Sequence, residues 1–148
     1  MRFQYIPNIW FSIFGVAVSL FLAVYALTRF KTRGAAMFFV SMILASLWSV
    51  LQALEWAAPD LRLKIILANL QYLAIMYIPV TYLIMVLVLT NRDKWIRRKP
   101  IILILFTLPL VMQVLLWTNP AHGLIRRNVV LDSSGPFPVI SKTFGPVF

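Results

Sequence analysis

The chain has 148 residues, of which 61% are hydrophobic and 12% charged, with a mean hydropathy of +0.88 and a formal net charge of +10. A soluble domain is nearer half apolar and about a quarter charged, so the composition excludes an ordinary soluble protein. The basic residues gather where apolar runs end, which favours membrane flanks over a nucleic-acid surface, and no nucleic-acid partner is expected. No cysteine occurs, so disulfides, redox thiols and thiolate-bound metals are excluded.

Four apolar runs are long enough to cross the ~30 Å hydrocarbon core of a bilayer. The predicted transmembrane helices cover residues 8–28, 35–57, 63–90 and 101–117. An outer segment over 118–148 follows the last of them. The predicted fold class is therefore an all-α membrane protein of four transmembrane helices, with a C-terminal segment outside the cytoplasm.

Two basic loops determine the predicted orientation. Arg29, Lys31 and Arg33 follow the first run, whereas Arg2 alone precedes it. Residues 91–99 hold five basic residues against one acid, the strongest orientation signal in the chain. Because short loops rich in Lys and Arg stay in the cytoplasm, we expect both loops there and the N-terminus outside.

Small and polar residues form one face on each of the first two runs. Gly15, Ser19 and Ala23 recur every four residues, a stripe that lets a neighbouring helix approach closely. The residues sharing a face of the second run are Ser41, Ala45, Trp48, Gln52 and Glu55. A face with such polar groups avoids lipid, so we predict that it turns toward protein.

The third run is expected to form the central helix of the bundle. Asp60 precedes it and can cap its first turn. Asn69 and Tyr72 share one face of the run, and Pro79 lies near its middle. Pro79, like Pro109 in the fourth run, removes a backbone hydrogen bond, so we predict a kink and a hinge at each. A static kink explains both prolines equally well.

The outer segment carries the signature of a β-hairpin. Two β-prone pieces, 124–131 and 137–144, flank the turn-rich stretch 132–136. We predict a hairpin over these residues, lying across the outer mouth of the bundle.

Six residues are candidates for sensing a ligand: Trp48, Gln52, Glu55, Asn69, Tyr72 and His122. Glu55 is the only acid inside a run, but it lies about one turn from the outer end, where reaching the headgroups or pairing with Arg62 or Lys64 is the more ordinary role. Asn69 is more ordinarily a hydrogen-bonding group between helices, and His122 a turn residue. No catalytic constellation, metal site or cofactor site can be assembled from the sequence.

Two short segments carry a family resemblance: Thr-Asn-Pro-Ala-His-Gly-Leu at 118–124 and Gly-Pro-Val-Phe at 145–148. Further matching residues are Trp48, Glu55, Pro59, Asp60, Lys64, Gln71, Tyr72, Pro79 and Thr90. With them the chain resembles the N-terminal seven-transmembrane sensor region of bacterial membrane histidine kinases, which also precedes diguanylate cyclases. The resemblance covers the first four helices of the family and departs at Val147, where an aromatic residue is commoner.

The resemblance implies that 1–148 is a partial transmembrane sensor domain: a sensory input module of a bacterial signal-transduction protein, not an enzyme itself and lacking its output domain. The implied location is the bacterial cytoplasmic (inner) membrane, with several passes. The implied partners are the lipid bilayer, helices five to seven and a cytoplasmic kinase or cyclase domain; a homodimer is left open. A small multi-spanning transport or channel subunit, with Glu55 and Asn69 lining a path, is the alternative from another class.

Overall fold

The computed structural model describes residues 7–92, 94–132 and 138–146. The long helices are α1 (Ile9–Thr28), α2 (Ala35–Ala57), α3 (Leu61–Leu89) and α4 (Lys99–Trp117). A short helix, α5 (Asn119–His122), leads into an antiparallel hairpin of β1 (Arg126–Asp132) and β2 (Val139–Phe144). All four long helices have the length and composition to cross a membrane. The prediction of four apolar membrane helices followed by a C-terminal segment is confirmed, and the helix ends differ from the predicted bounds by at most two residues.

The stripe of small residues on α1 forms its interface with α2, as predicted. Ser19 and Ala23 are buried, and a Cβ atom placed on Gly15 would lie 3.2 Å from the Oγ atom of Ser49 on α2. Small side chains allow this close approach of two helix backbones. The other side of α1 exposes large aromatic side chains, among them Phe11 and Phe14. That side suits contact with lipid.

The third helix is central, as predicted, because α3 packs against α2, α4 and β2. Its start is capped by Asp60, whose carboxylate accepts hydrogen bonds from the backbone N–H groups of Arg62 at 3.3 Å and Leu63 at 3.1 Å. These N–H groups have no acceptor within the helix, so the cap stabilises its first turn. The polar side chains buried on α3 are Lys64, Asn69, Gln71 and Thr81.

Both hinge candidates lie inside continuous helices, Pro79 in α3 and Pro109 in α4. A proline has no N–H, so it leaves the carbonyl four residues earlier without its usual helical donor. Close to Pro79, the hydroxyl oxygens of Ser41 on α2 and Thr81 on α3 lie 2.8 Å apart. This hydrogen bond holds the two helices together beside the weakened turn.

The hairpin returns the chain toward the start of β1. Arg126 pairs with Phe144 at one end of the ladder and Asp132 with Val139 at the other. After β2 the N–H of Gly145 donates to the carbonyl oxygen of Ile125 at 2.8 Å. A Cβ atom on Gly145 would overlap the carbonyl oxygen of Leu124, so only glycine fits this approach. The hairpin prediction is confirmed, while most of its predicted turn, 133–136, lies outside the described residues.

The bundle therefore has two ends of different character. We call the hairpin end the one that holds the α2–α3 link (58–60), α5 and the hairpin. We call the basic end the one that holds the loops 29–34 and 90–98. At the basic end the guanidinium group of Arg33 donates to the side-chain oxygen of Asn91, which joins the two loops.

Candidate functional site

A buried lysine connects α3 to the end of α2 at the hairpin end. Lys64 is 1% exposed, and its ammonium group donates to the carbonyl oxygens of Glu55 at 2.7 Å and Trp56 at 3.2 Å. Carbonyl groups in the last turn of a helix have no helical N–H to accept from, and a cation is favourable beside them. Lys64 thus donates to the backbone carbonyl of Glu55, whereas the sequence suggested that it pairs with the Glu55 carboxylate.

The carboxylate of Glu55 instead accepts a hydrogen bond from the side-chain amide of Gln71. Gln71 is buried, and the same amide nitrogen lies 3.5 Å from the carbonyl oxygen of Leu51. Hydrogen bonds to a carboxylate are stronger than those between neutral groups, so this contact helps to set the alignment of α2 and α3. Glu55 is therefore engaged between two helices.

A single asparagine organises the entry into the hairpin. The side-chain oxygen of Asn119 accepts from the backbone N–H groups of Ile125 at 2.9 Å and Arg126 at 3.0 Å. Its side-chain nitrogen donates to the carbonyl oxygen of Arg126 at 2.9 Å. Gly123 closes α5 with a φ of 58°, a left-handed conformation that favours glycine. The Thr-Asn-Pro-Ala-His-Gly-Leu segment thus fixes the backbone at Arg126.

His122 belongs to the same arrangement. Its Nδ1 atom accepts from the N–H of Leu124 at 3.0 Å, and its Nε2 atom lies 3.1 Å from the hydroxyl oxygen of Thr118. The Thr118 hydroxyl also lies 2.8 Å from the carbonyl oxygen of Val114, to which it donates. Both ring nitrogens of His122 thus contact neighbouring groups of the same turn. His122 holds the turn.

Arg126 is the residue that this turn positions. It is 4% exposed, and its guanidinium carbon lies 5.0 Å from the centroid of the Tyr72 ring on α3, within the range of a cation–π interaction. Its Nε and Nη2 atoms are buried without a hydrogen-bond partner among the described residues. Buried charged donors without partners are costly, and these two nitrogens could each donate a hydrogen bond to a bound group.

Asn69 lies three residues before Tyr72, on the face of α3 that contacts Arg126. Its backbone carbonyl oxygen accepts a hydrogen bond from the side chain of Gln113 on α4 at 3.1 Å. Its side-chain oxygen, like that of Gln113, is buried without a partner among the described residues. Asn69 is 6% exposed. The site therefore offers unsatisfied acceptors beside unsatisfied donors.

A cavity of about 480 Å³ lies between α3, α4 and the entry to the hairpin. Small-ligand pockets have volumes of about 300–1,000 Å³, mostly apolar walls and a few polar groups, and this cavity has that character. Its lining includes Ile65, Asn69, Leu116, Arg126, Arg127 and Val129. We call this space the Arg126 cavity.

Lys142 on β2 adds a further positive charge nearby. Its ammonium nitrogen lies 5.6 Å from the centroid of the Phe144 ring. Burial lowers the pKa of Lys142, the charge of Arg126 lowers it further, and the carboxylate of Glu55 raises it. Lys142 on the hairpin and Glu55 near the end of α2 therefore interact electrostatically.

Trp48 and Gln52 lie away from this cavity. They line a separate groove of about 240 Å³, with Phe11 and Ser12 on α1. Ser41 is buried as predicted, but Trp48 is 40% exposed, because the groove around its indole is open to the surface. The prediction that the whole face of the second helix turns inward is therefore wrong at Trp48.

The structure brings Asn69 and Tyr72 together with two residues that sequence reasoning missed, Arg126 and Gln113. Gln113 is a polar residue inside a membrane run, a signal that was available. Arg126 was not identifiable in the same way. Strand alternation places one of Arg126 and Arg127 inward, and two identical side chains give no indication of which.

Comparison with known families gave a match over nearly the whole chain. A family described as the N-terminal 7TM region of histidine kinase matches residues 11–148. Comparisons with curated proteins and with solved structures gave no match.

Proposed function

Because the chain belongs to the family of N-terminal seven-transmembrane regions of histidine kinases, we propose that its hairpin end receives the stimulus and that α3 transmits the response to its basic end. The chain is a membrane sensory input module, and the family context implies a cytoplasmic kinase domain fused to it. A sensor family leaves no need for the transport or channel alternative.

The contact between Arg126 and Tyr72 carries this proposal. It joins the hairpin to α3 over 5.0 Å, at a guanidinium group with two unsatisfied donors. A ligand that bonds to those donors has one affinity when the hairpin contacts α3 and another when it does not. Such a difference in affinity is the condition for shifting an equilibrium between two states. The other end of α3 leads into the second loop of the basic end. There the side chain of Asn91 accepts a hydrogen bond from Arg33 in the first loop. One continuous helix thus connects the candidate site to the loops nearest a cytoplasmic domain.

The orientation that fits this role has the N-terminus and the hairpin outside a bacterial cytoplasmic membrane. The loops 29–34 and 91–99 then face the cytoplasm, in keeping with their excess of Lys and Arg. Cytoplasmic reporter fusions should be active in both loops, and an external signal from 91–99 would overturn the orientation.

The partners of this module are the bilayer, helices five to seven and the kinase domain. The module binds and transmits, whereas catalysis of phosphoryl transfer belongs to the kinase domain.

Among the candidate residues, Asn69 and Tyr72 are proposed to sense the ligand, together with Arg126. Glu55 and His122 are proposed to be structural, since their side chains bond to Gln71 and to the α5 turn respectively. Trp48 and Gln52 line the separate groove against α1 and have no proposed part in this site.

The test is the variant Tyr72→Leu in the intact kinase, reconstituted in lipid vesicles. Loss of a cation–π contact of about 0.5–2 kcal/mol predicts a change of about two- to thirty-fold in the signalling equilibrium, and hence in basal autophosphorylation. Tyr82→Leu is the matched control, because Tyr82 lies on the same helix and is exposed. Unchanged autophosphorylation in a normally inserted Tyr72→Leu protein would exclude this contact from the signal path.

A further inference from the structure

The unsatisfied atoms of Arg126 form one particular edge of its side chain. In a guanidinium group the Nε–H and one Nη2–H bond point in the same direction, as a two-pronged donor. Both nitrogens lack a hydrogen-bond partner among the described residues, although Arg126 is only 4% exposed. This edge matches the two oxygens of a carboxylate or phosphate, which arginine binds with two parallel hydrogen bonds.

Asn69 supplies the complementary feature. Its buried side-chain oxygen has no partner among the described residues, and it lines the same cavity as Arg126. An amide oxygen accepts hydrogen bonds only, so it favours a ligand with an N–H or O–H group. A donor for Asn69 and two acceptors for Arg126 together describe a polar, anionic group.

The rest of the cavity is suited to an apolar body. Ile65, Leu116 and Val129 contribute walls, and Arg127 adds a second positive charge at the rim. No acidic side chain lines the cavity among the residues that the structure describes. With a volume of about 480 Å³, the space fits a small molecule and not a macromolecular segment with its own fold.

We propose that the Arg126 cavity is a binding site for a small amphiphilic anion, whose carboxylate or phosphate group lies on the Nε–Nη2 edge of Arg126 and whose apolar part contacts Ile65, Leu116 and Val129. The inference rests on the proposed function in treating this ligand as the stimulus. The same chemistry has two sources, a soluble organic acid and the phosphate of a lipid headgroup.

The test uses the intact protein in phosphatidylcholine nanodiscs, with sodium octanoate as the soluble probe and octanol as its neutral counterpart. Octanoate should bind saturably and raise the thermal unfolding midpoint, whereas octanol should do neither at equal concentration. Arg126→Gln and Arg126→Lys should each weaken octanoate binding by about tenfold or more, since both lose the two-pronged edge. Arg62→Gln is the matched control, because it removes one exposed positive charge at the same end of the bundle.

A second arm separates the two sources. In nanodiscs that contain phosphatidylglycerol, a headgroup site would retain that lipid on the purified wild-type protein and lose it in Arg126→Gln, with octanoate unable to bind. A soluble-ligand site would keep octanoate binding in both kinds of nanodisc. Either pattern supports the site.

The proposal is overturned if neither octanoate nor phosphatidylglycerol distinguishes Arg126→Gln from Arg62→Gln. That result is expected where an acidic side chain elsewhere in the intact protein already pairs with Arg126. It is equally overturned if octanol binds as octanoate does, because the cavity would then select apolar bulk alone. Should Arg126→Gln fail to fold, Arg126→Lys gives the same decision, because it keeps the positive charge and loses the two-pronged edge.

Binding and kinase output separate this site from the sensor role. Arg126-dependent binding together with unchanged output in Tyr72→Leu supports the site and refutes sensing through this contact. Altered output in Tyr72→Leu with no Arg126-dependent binding refutes the site and leaves the sensor role standing.

Discussion

The ammonium group of Lys64 donates to the carbonyl oxygen of Glu55 at 2.7 Å, so a lysine in the first turn of α3 closes the last turn of α2. Lys64 is 1% exposed, and its second acceptor is the carbonyl oxygen of Trp56 at 3.2 Å. The link between the two helices is only three residues long, 58–60. The hairpin end is therefore held by a polar contact that needs both helices in place.

Replacement of this lysine should destabilise the fold. Lys64→Met keeps the length of the side chain but removes the lysine donor from two terminal carbonyl groups, of which that of Glu55 still accepts from the N–H of Ala58 at 3.3 Å. We expect a loss of about 1–3 kcal/mol in the free energy of unfolding, measured in detergent by thermal or denaturant titration. Arg62→Met, which removes an exposed cation two residues earlier, should change it by less than about 1 kcal/mol. Equal effects would show that the Lys64 contact contributes no more than a surface charge.

Asn119 should be required for hairpin docking. Asn119→Ala removes three hydrogen bonds and leaves the N–H groups of Ile125 and Arg126 without acceptors. A cost of about 1–3 kcal/mol for each unsatisfied buried group predicts faster amide exchange throughout β1 and β2. Hydrogen-exchange mass spectrometry measures this, with Ser141→Ala, an exposed change on β2, as the control. Protection equal to wild type in Asn119→Ala would contradict the role given to this side chain.

The lowered pKa of Lys142 predicts an alkaline dependence of stability. Burial disfavours its charged form, so the folded-state pKa lies below the ordinary value of 10.5. Between the two pKa values the unfolded chain binds more protons, so stability rises with pH through this window and the gain is complete above 10.5. At neutral pH the free-energy cost of burying the charged ammonium group is present in full.

The variant Lys142→Met should therefore stabilise the protein at neutral pH, by an amount that shrinks as the pH rises into the alkaline window. The measurement is the difference in unfolding midpoint between wild type and variant, since this cancels the titration of other groups. Lys31→Met, an exposed change at the basic end, should give a difference that does not depend on pH in this way. A constant difference for Lys142→Met would refute the burial argument.

The hinge role of Pro79 remains a prediction. Pro79→Ala restores an N–H for the carbonyl of Ile75, which should stiffen α3 beside the Ser41–Thr81 hydrogen bond. We expect altered basal autophosphorylation or an altered response in the intact kinase, at normal membrane levels. Pro100→Ala is the control, because Pro100 lies in the first turn of α4, where the missing N–H had no acceptor. Unchanged output in Pro79→Ala would make the proline a static kink.

Much of the architecture was predictable, because membrane helices depend on local properties of the sequence. Apolar length gave the four helices, the carboxylate of Asp60 gave the start of α3, and the spacing of Gly15, Ser19 and Ala23 gave the α1–α2 contact. The hairpin followed from two β-prone pieces around a turn. Each of these signals lies within about twenty consecutive residues.

The candidate site was predictable only in part, because it joins residues far apart in the chain. Asn69 and Tyr72 were recognisable as polar groups on a membrane helix, but the orientation of Arg126 depends on how Asn119 and Gly145 fold the chain back. Lys64, which the sequence suggested as a partner for the Glu55 carboxylate, donates to the last carbonyl groups of α2 instead, because α2 ends beside it. The sequence alone determined which segments enter the membrane, since insertion of a helix depends on the apolar length and the charges of its own segment. The tertiary structure decided which polar groups lack partners, because satisfaction of a hydrogen bond depends on both of the atoms that form it.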